Sequence, residues 1–153
     1  MVQIAVVGGG QCSEEVARNA ETVGRLLAEA GAILICGGKG GVMAAAARGA
    51  SRAGGRTVGI LPGERLDEAN PYIQVVVATG LGHARNIIVV LSAQAIIALP
   101  GADGTRSEIA LARTVGRQVI DLGGWSRMPG VEIAANPATA VAAALRAVHG
   151  HEI

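Results

Sequence analysis

Three times in this chain a short, near-continuous apolar run ends in a glycine-rich turn and gives way to helical spacing. Val2–Val7 ends in Gly8-Gly9-Gly10, and Ala32–Cys36 ends in Gly37-Gly38-Lys39-Gly40-Gly41. Ala95–Leu99 ends in Pro100-Gly101-Ala102-Asp103-Gly104. A strand whose hydrophobicity is continuous and not alternating is covered on both faces, which calls for a parallel sheet with helices on each side. Sheets of this kind bind ligands beyond the carboxyl ends of their strands, where these glycines stand. The pattern predicts one α/β domain over residues 1–153, a Rossmann-like three-layer sandwich with a mostly parallel central sheet.

The rest of the chain fits that frame. Ser13 is a natural N-cap with Glu14 and Glu15 in the first turn, helical spacing runs from Val16 to Ala30, and Gly31 stops it. Val42–Ala53 reads as an alanine-rich helix and Thr57–Leu61 as the third strand. Residues 63–71 are polar and read as a surface loop. Strand four is expected at Ile73–Val77, a helix from about His83 to Leu91, and another at Thr105–Val115. Gln118–Leu122 is a sixth strand and Val131–Ala134 a short edge strand. Asn136-Pro137 opens a last helix reaching about Val148.

Composition narrows the possible tasks. Thirteen Lys and Arg stand against twelve Asp and Glu, and there is one Trp and one Tyr. Without basic runs or stacking aromatics, nucleic acid is not the expected partner. No apolar run reaches the ~18 residues of a membrane span, so no membrane role is expected. Met1-Val2-Gln3-Ile4 reads directly as strand, with no basic leader, and points to a cytoplasmic protein. Cys12 and Cys36 form no CxxC pair and suit a reducing compartment. Cys36 reads as a small buried hydrophobe, whereas Cys12 precedes a helix start, where a thiolate would be favoured. His149 and His151 read as a mobile tail, and no cluster of metal ligands is visible.

The Pro100–Glu108 segment is an anion site by its own chemistry. Strand, glycine turn and helix start bring unpaired backbone N–H groups together at the positive end of a helix dipole. Thr105 adds a hydroxyl, and Glu108 places a carboxylate one turn on. Known phosphate loops fit poorly. Gly8-Gly9-Gly10-Gln11-Cys12-Ser13 lacks the final glycine of the dinucleotide fingerprint, and no acid ends the second strand. Lys39 is followed by Gly40 where a Walker A loop needs Ser or Thr. Lys39 is also the only lysine, and its glycine loop suits a phosphate contact or a solvated charge better than a Schiff base.

Pro100-Gly101-Ala102-Asp103-Gly104-Thr105-Arg106-Ser107-Glu108 resembles the P-G-G-x-G-T-x-x-E motif of the Lonely Guy (LOG) family. Gly37–Met43 is similar to that family's second glycine loop. A closer resemblance is to short, single-domain bacterial proteins related to the molybdenum-cofactor carrier protein of algae. It rests on Val7–Gly10, Cys36–Gly38 with Gly41–Met43, Gly59–Gly63, Ala69-Asn70, Thr79–Gly82 with Ala84–Asn86, and the Gly104-Thr105/Glu108 loop. The resemblance implies a Rossmann-like homo-oligomer that binds a phosphorylated small molecule, nucleotide or pterin. The LOG proteins are nucleoside 5′-monophosphate phosphoribohydrolases, and hydrolysis of that kind requires no cofactor. Arg85 and Glu108 match their catalytic pair. The alternative is a non-catalytic carrier of molybdenum cofactor or a related phosphorylated pterin, with Lys39, Arg85 and Cys12 as donors to the molybdate centre.

Candidate binding residues are then Gly9 and Gly10 after strand one, Gly38, Lys39 and Gly41 after strand two, and Gly101, Ala102, Asp103, Gly104 and Thr105 after strand five. The chain departs from the hydrolase pattern at Ala102, a glycine there, at Ser107, often an acid, and at Asn86, a lysine. Plainer readings stand beside these. Arg85 could be a surface cation, Glu108 could pair with Arg106 or Arg113, and Asp103 reads as a turn-former. Met43 reads as core, and His83 precedes Arg85 at a helix start. The run Ile87–Leu91, apolar on nearly all sides, suits burial against the sheet or a second subunit.

Overall fold

The computed structural model describes residues 1–150, so His151 lies outside the described residues. In chain order the elements are β1 (Gln3–Val7), α1 (Glu14–Glu29), β2 (Ile33–Cys36), α2 (Val42–Arg52), β3 (Arg56–Leu61), β4 (Val75–Ala78) and α3 (Arg85–Leu91). There follow β5 (Ala95–Ala98), α4 (Asp103–Thr114), β6 (Gln118–Leu122), β7 (Glu132–Ala134) and α5 (Pro137–His149). The strands pair in the order β4-β3-β2-β1-β5-β6-β7, and every pairing is parallel. The sheet is wholly, not mostly, parallel.

Alternation along the strands sends side chains to two separate cores. Ile4 and Val6 of β1, with Ala95 and Ile97 of β5, pack under α1, α2 and α5. Ala5 and Val7, with Ile96 and Ala98, pack under α3 and α4. Both sets are fully buried, which is why these strands carry no polar alternation. Because β1 lies between β2 and β5, the chain reverses its direction of travel across the sheet there. The carboxyl ends of β1 and β5 therefore form the crevice of such folds.

Ser13 caps α1 by accepting from the Val16 N–H at 3.2 Å, and Asn136 caps α5 by accepting from the Thr139 N–H at 2.9 Å. β4 pairs two residues later than the sequence pattern predicts. The Thr57 hydroxyl donates to the Tyr72 carbonyl at 2.7 Å and accepts from the Gln74 N–H at 2.9 Å, so residues 72–74 are held before strand pairing begins. A 3-10 turn, Gly82–Ala84, takes up the expected start of the His83 helix. α4 begins at Asp103 instead of Thr105, with the Asp103 carboxylate in its first turn, where the dipole favours it. His149 is the last residue of α5 and not part of a tail. The 63–71 loop holds a 3-10 turn at Leu66–Glu68, and Asn70 ties its end to the β2 loop. The Asn70 Nδ2 donates to the Lys39 carbonyl at 2.8 Å, and its backbone N–H donates to Gly38 at 2.8 Å.

α1 and α2 touch backbone to backbone. A Cβ on Gly24 would overlap the Ala46 carbonyl oxygen, and one on Gly49 would overlap that of Glu21. An alanine at either place would gain about 1 kcal/mol of helix propensity. Forcing the helices apart costs about 1–3 kcal/mol or more, because the obstructing atoms are main chain. Gly24→Ala and Gly49→Ala are thus expected to lower Tm by several degrees in thermal unfolding; a raised Tm in both would contradict this packing.

Candidate functional site

Three backbone loops meet at the carboxyl ends of β1, β2 and β5. Gly9 stands between the other two: its N–H donates to the Pro100 carbonyl at 3.0 Å, and its own carbonyl accepts from the Val42 N–H at 3.0 Å. No side chain would fit at the crossing points. A Cβ on Gly41 would overlap the Gly9 carbonyl oxygen, and one on Gly101 would overlap the Thr105 hydroxyl. Gly41 also has φ +61°, a conformation glycine adopts without strain. With both its backbone groups engaged, Gly9 acts as a clip between loops.

In front of the clip lies a cavity of about 250 Å³. Of the residues marked by the sequence, Gly9, Gly10, Arg85, Ala102, Gly104, Thr105 and Glu108 line it together. Gly38, Lys39, Gly41, Gly101 and Asp103 are outside its lining. Gly38, with φ +79°, donates to the Cys36 sulfur at 3.4 Å and accepts from Asn70, a turn-holding arrangement. Lys39 faces Glu68 at 3.7 Å. Cys12 is exposed. Burial pushes the Cys36 thiol up to about 11, so it remains a protonated hydrophobe.

The lining also includes Gly8, Gly37, Met43, His83 and Asn86. Met43, read from the sequence as core, is partly buried with its sulfur beside Gly37. Gly37 must lack a side chain because the Arg85 guanidinium lies across it. Arg85 Nη1 donates to the carbonyls of Gly37 at 2.6 Å and Ile60 at 2.9 Å, which fixes the head group at the ends of β2 and β3. Its Nε–H is buried without an acceptor. Arg85 is therefore no surface cation, and burial lowers its pKa while Glu108 opposes that shift.

Glu108 pairs with neither Arg106 nor Arg113. Arg106 is drawn the other way: it donates to the Ser126 carbonyl at 2.6 Å and lies over the Trp125 ring, 5.2 Å from its centroid. The anchor of that turn is Asp121, a fully buried carboxylate at the end of β6. Its Oδ1 accepts from the Gly124 and Trp125 N–H groups at 3.1 and 3.2 Å, and its Oδ2 from the Ser126 N–H and hydroxyl at 3.0 and 2.5 Å. Asp121 is the one charged residue of the Gln118–Leu122 run, a sign of a paired buried carboxylate that motif spacing alone does not mark. Left facing the cavity, the Glu108 carboxyl is pushed up to about 7 by burial, with Arg85 pulling it down.

The cavity gathers polar groups that the chain leaves unpaired. Among the described residues, the buried side-chain polar atom without a partner is Arg85 Nε, and the side chains of Thr105 and Asn86, which line the same cavity, have no hydrogen-bond partner within the chain. At the start of α4, Arg106 donates back to the Ala102 carbonyl, while the N–H groups of Asp103, Gly104 and Thr105 have no partner and no capping side chain. A wider hollow of about 550 Å³ between α1 and α2 lacks this property. Charged residues of its walls pair with one another, Arg25 with Glu29 at 2.9 Å and Arg52 with Glu21 at 3.2 Å. The donors left unpaired by the chain gather at the smaller cavity and not at the larger hollow.

Comparison with known proteins agrees on fold and family. The model of the SLOG cluster4 family matches residues 1–149. A protein of Archaeoglobus fulgidus is 45% identical over 141 residues, spanning 92% of this chain and 93% of that one. The molybdenum cofactor binding protein of Rippkaea orientalis superposes with a TM-score of 0.88 at 35% identity, covering 95% of this chain and 96% of its own. The molybdenum cofactor carrier protein of Chlamydomonas reinhardtii gives 0.86 at 32% identity over 97% and 98%.

The raised Glu108 pKa has a consequence for stability. The folded chain holds this proton more tightly than the unfolded chain, whose glutamates titrate near 4.5. The Glu108 contribution is thus favourable at low pH and is lost as pH rises from about 4.5 through about 7, by on the order of 3 kcal/mol. Glu108→Gln should be more stable than the parent at pH 8 and equal to it at pH 4, read from urea midpoints. Parallel pH profiles for the two proteins would contradict the burial of this carboxyl.

Proposed function

Because the chain belongs to the SLOG cluster4 family, we propose that it binds and carries a phosphorylated small molecule, with molybdenum cofactor or a related phosphorylated pterin as cargo. The observation that carries this reading is the convergence of unpaired donors on one cavity: the first-turn N–H groups of α4, the Thr105 hydroxyl, Asn86 and Arg85. Phosphate oxygens would complete the open turn of α4, where backbone N–H groups and the helix dipole both favour an anion. Arg85 would supply charge-assisted hydrogen bonds from a head group already held in place. The oxo groups of a molybdate centre are also acceptors, so the donor set fits such a cargo. Among the described residues no group of three His, Cys, Asp or Glu side chains is arranged to ligate a metal ion. The cargo metal would therefore be held through its oxo groups and its pterin.

Free thiols at Cys12 and Cys36 suit a reducing cytoplasm. A second copy of the chain is the proposed partner. Val75 and Val77 on the β4 edge, with Leu81 and Leu91, are 41–56% exposed, apolar side chains that a second copy would cover. No helix among the described residues is long and apolar enough to cross a membrane.

Glu108 supports a second reading, hydrolysis of nucleoside 5′-monophosphates. A carboxyl that titrates near neutrality beside a guanidinium can hold or give up a proton at working pH. In that reaction the C1′–N bond breaks, the base leaves with a proton, and water adds at C1′ to give ribose 5-phosphate. The two readings part in experiment. For the carrier, protein isolated from cells that make the cofactor should release a fluorescent pterin on acid oxidation, and Arg85→Ala should reduce the yield at least tenfold. Absence of pterin from the parent protein would contradict it. For the hydrolase, AMP, CMP or GMP should yield free base at a rate that Glu108→Gln lowers at least a hundredfold; equal rates would remove that reading.

A further inference from the structure

We propose that Asn86 reads the ring of the ligand, its carboxamide pairing with an adjacent donor and acceptor on the edge of a planar heterocycle whose phosphate lies at the start of α4. This rests on the reading of the cavity as a site for a phosphorylated small molecule. Asn86 is the second residue of α3, lines the cavity and is 7% exposed, yet among the described residues its side chain has no hydrogen-bond partner. Its two N–H donors and its carbonyl oxygen have no partner within the chain, so they are free to pair with a guest in the cavity that Asn86 lines. Asparagine is also a poor helix former, so local structure gives no reason for it there. Its neighbours in α3 are Arg85, which is tied to the sheet, and apolar residues that pack on it.

The remaining groups of the cavity divide the ligand among themselves. The open first turn of α4 and Thr105 offer donors only where phosphate oxygens accept. Glu108 offers acceptors suited to hydroxyls. A carboxamide presents a donor and an acceptor side by side in one plane at every pH, the complement of an amide or amidine edge on a nucleobase or pterin, whereas Glu108 does so only while protonated. Gly37 and Met43, which also line the cavity, add apolar surface beside the ring.

The test compares Asn86→Leu, similar in size and apolar, with the parent by calorimetric titration. The probes are AMP, 6-hydroxymethylpterin phosphate and ribose 5-phosphate, the last having the phosphate but no ring. Asn86→Leu should weaken at least one ring-bearing probe tenfold or more, leave ribose 5-phosphate within twofold, and raise or preserve Tm. The ring that loses affinity identifies nucleobase or pterin as the source. Equal loss for all three probes, or a lowered Tm with unchanged ring affinity, would show Asn86 to be structural and overturn the proposal. Parent protein that binds ribose 5-phosphate as tightly as both ring-bearing probes overturns it while leaving the phosphate site intact. Failure of the parent to bind any of the three overturns the functional reading and this inference with it.

Discussion

The site depends on main-chain atoms of Gly9 being in direct contact with two other loops. One hydrogen bond to Pro100 and one from Val42 fasten the ends of β1, β2 and β5 into a single surface. Side chains are excluded at that junction, since a Cβ on Gly41 or Gly101 would overlap its neighbour. The glycines therefore do two separate jobs. Some let loops close on each other, and only Gly8, Gly9, Gly10, Gly37 and Gly104 also border the cavity. The locked loops place the start of α4, where Gly104 and Thr105, with unpaired N–H groups, border the cavity. Preorganisation of this kind removes part of the ordering cost of binding.

On that frame the electrostatics are set by burial more than by pairing. Arg85 is held by two carbonyl groups, neither of which neutralises it. Glu108 is near enough for each to shift the other, and both remain perturbed by desolvation. A cavity with one fixed cation and one acid titrating near neutrality favours an anionic guest most strongly when the acid is protonated. Asp121 contributes at a distance: by holding the 123–126 turn it draws Arg106 to Ser126 and Trp125, which leaves Glu108 without a competing partner on its own helix.

Fold class was legible because every buried strand announces itself. Val2–Val7, Ala32–Cys36 and Ala95–Leu99 have no polar alternation, and glycine marks where each one ends. The boundary of β4 was not legible, since Ile73 looks like strand yet Thr57 holds the residues around it in another conformation. In the site, the Gly104-Thr105/Glu108 loop and Arg85 could be found because motif spacing carries them. Asn86 was marked by the same motif without a role, and Met43 could not be separated from core residues by pattern, because its place depends on which face of α2 meets the cavity. Lys39 shows the opposite limit: a lone lysine among glycines invites a phosphate, but the 63–71 loop brings Glu68 to it.

The central claim is that the start of α4 and the Arg85 guanidinium together receive a phosphate group. Nitrogen-15 NMR of the protein titrated with inorganic phosphate tests it most directly, with the Arg85 side-chain signal assigned by its loss in Arg85→Lys. The account requires the backbone amides of Gly104 and Thr105 and the Arg85 Nε–H to shift together along one saturating curve. Saturable shifts confined to the α1–α2 arginine hollow, with those three signals unmoved, would contradict it.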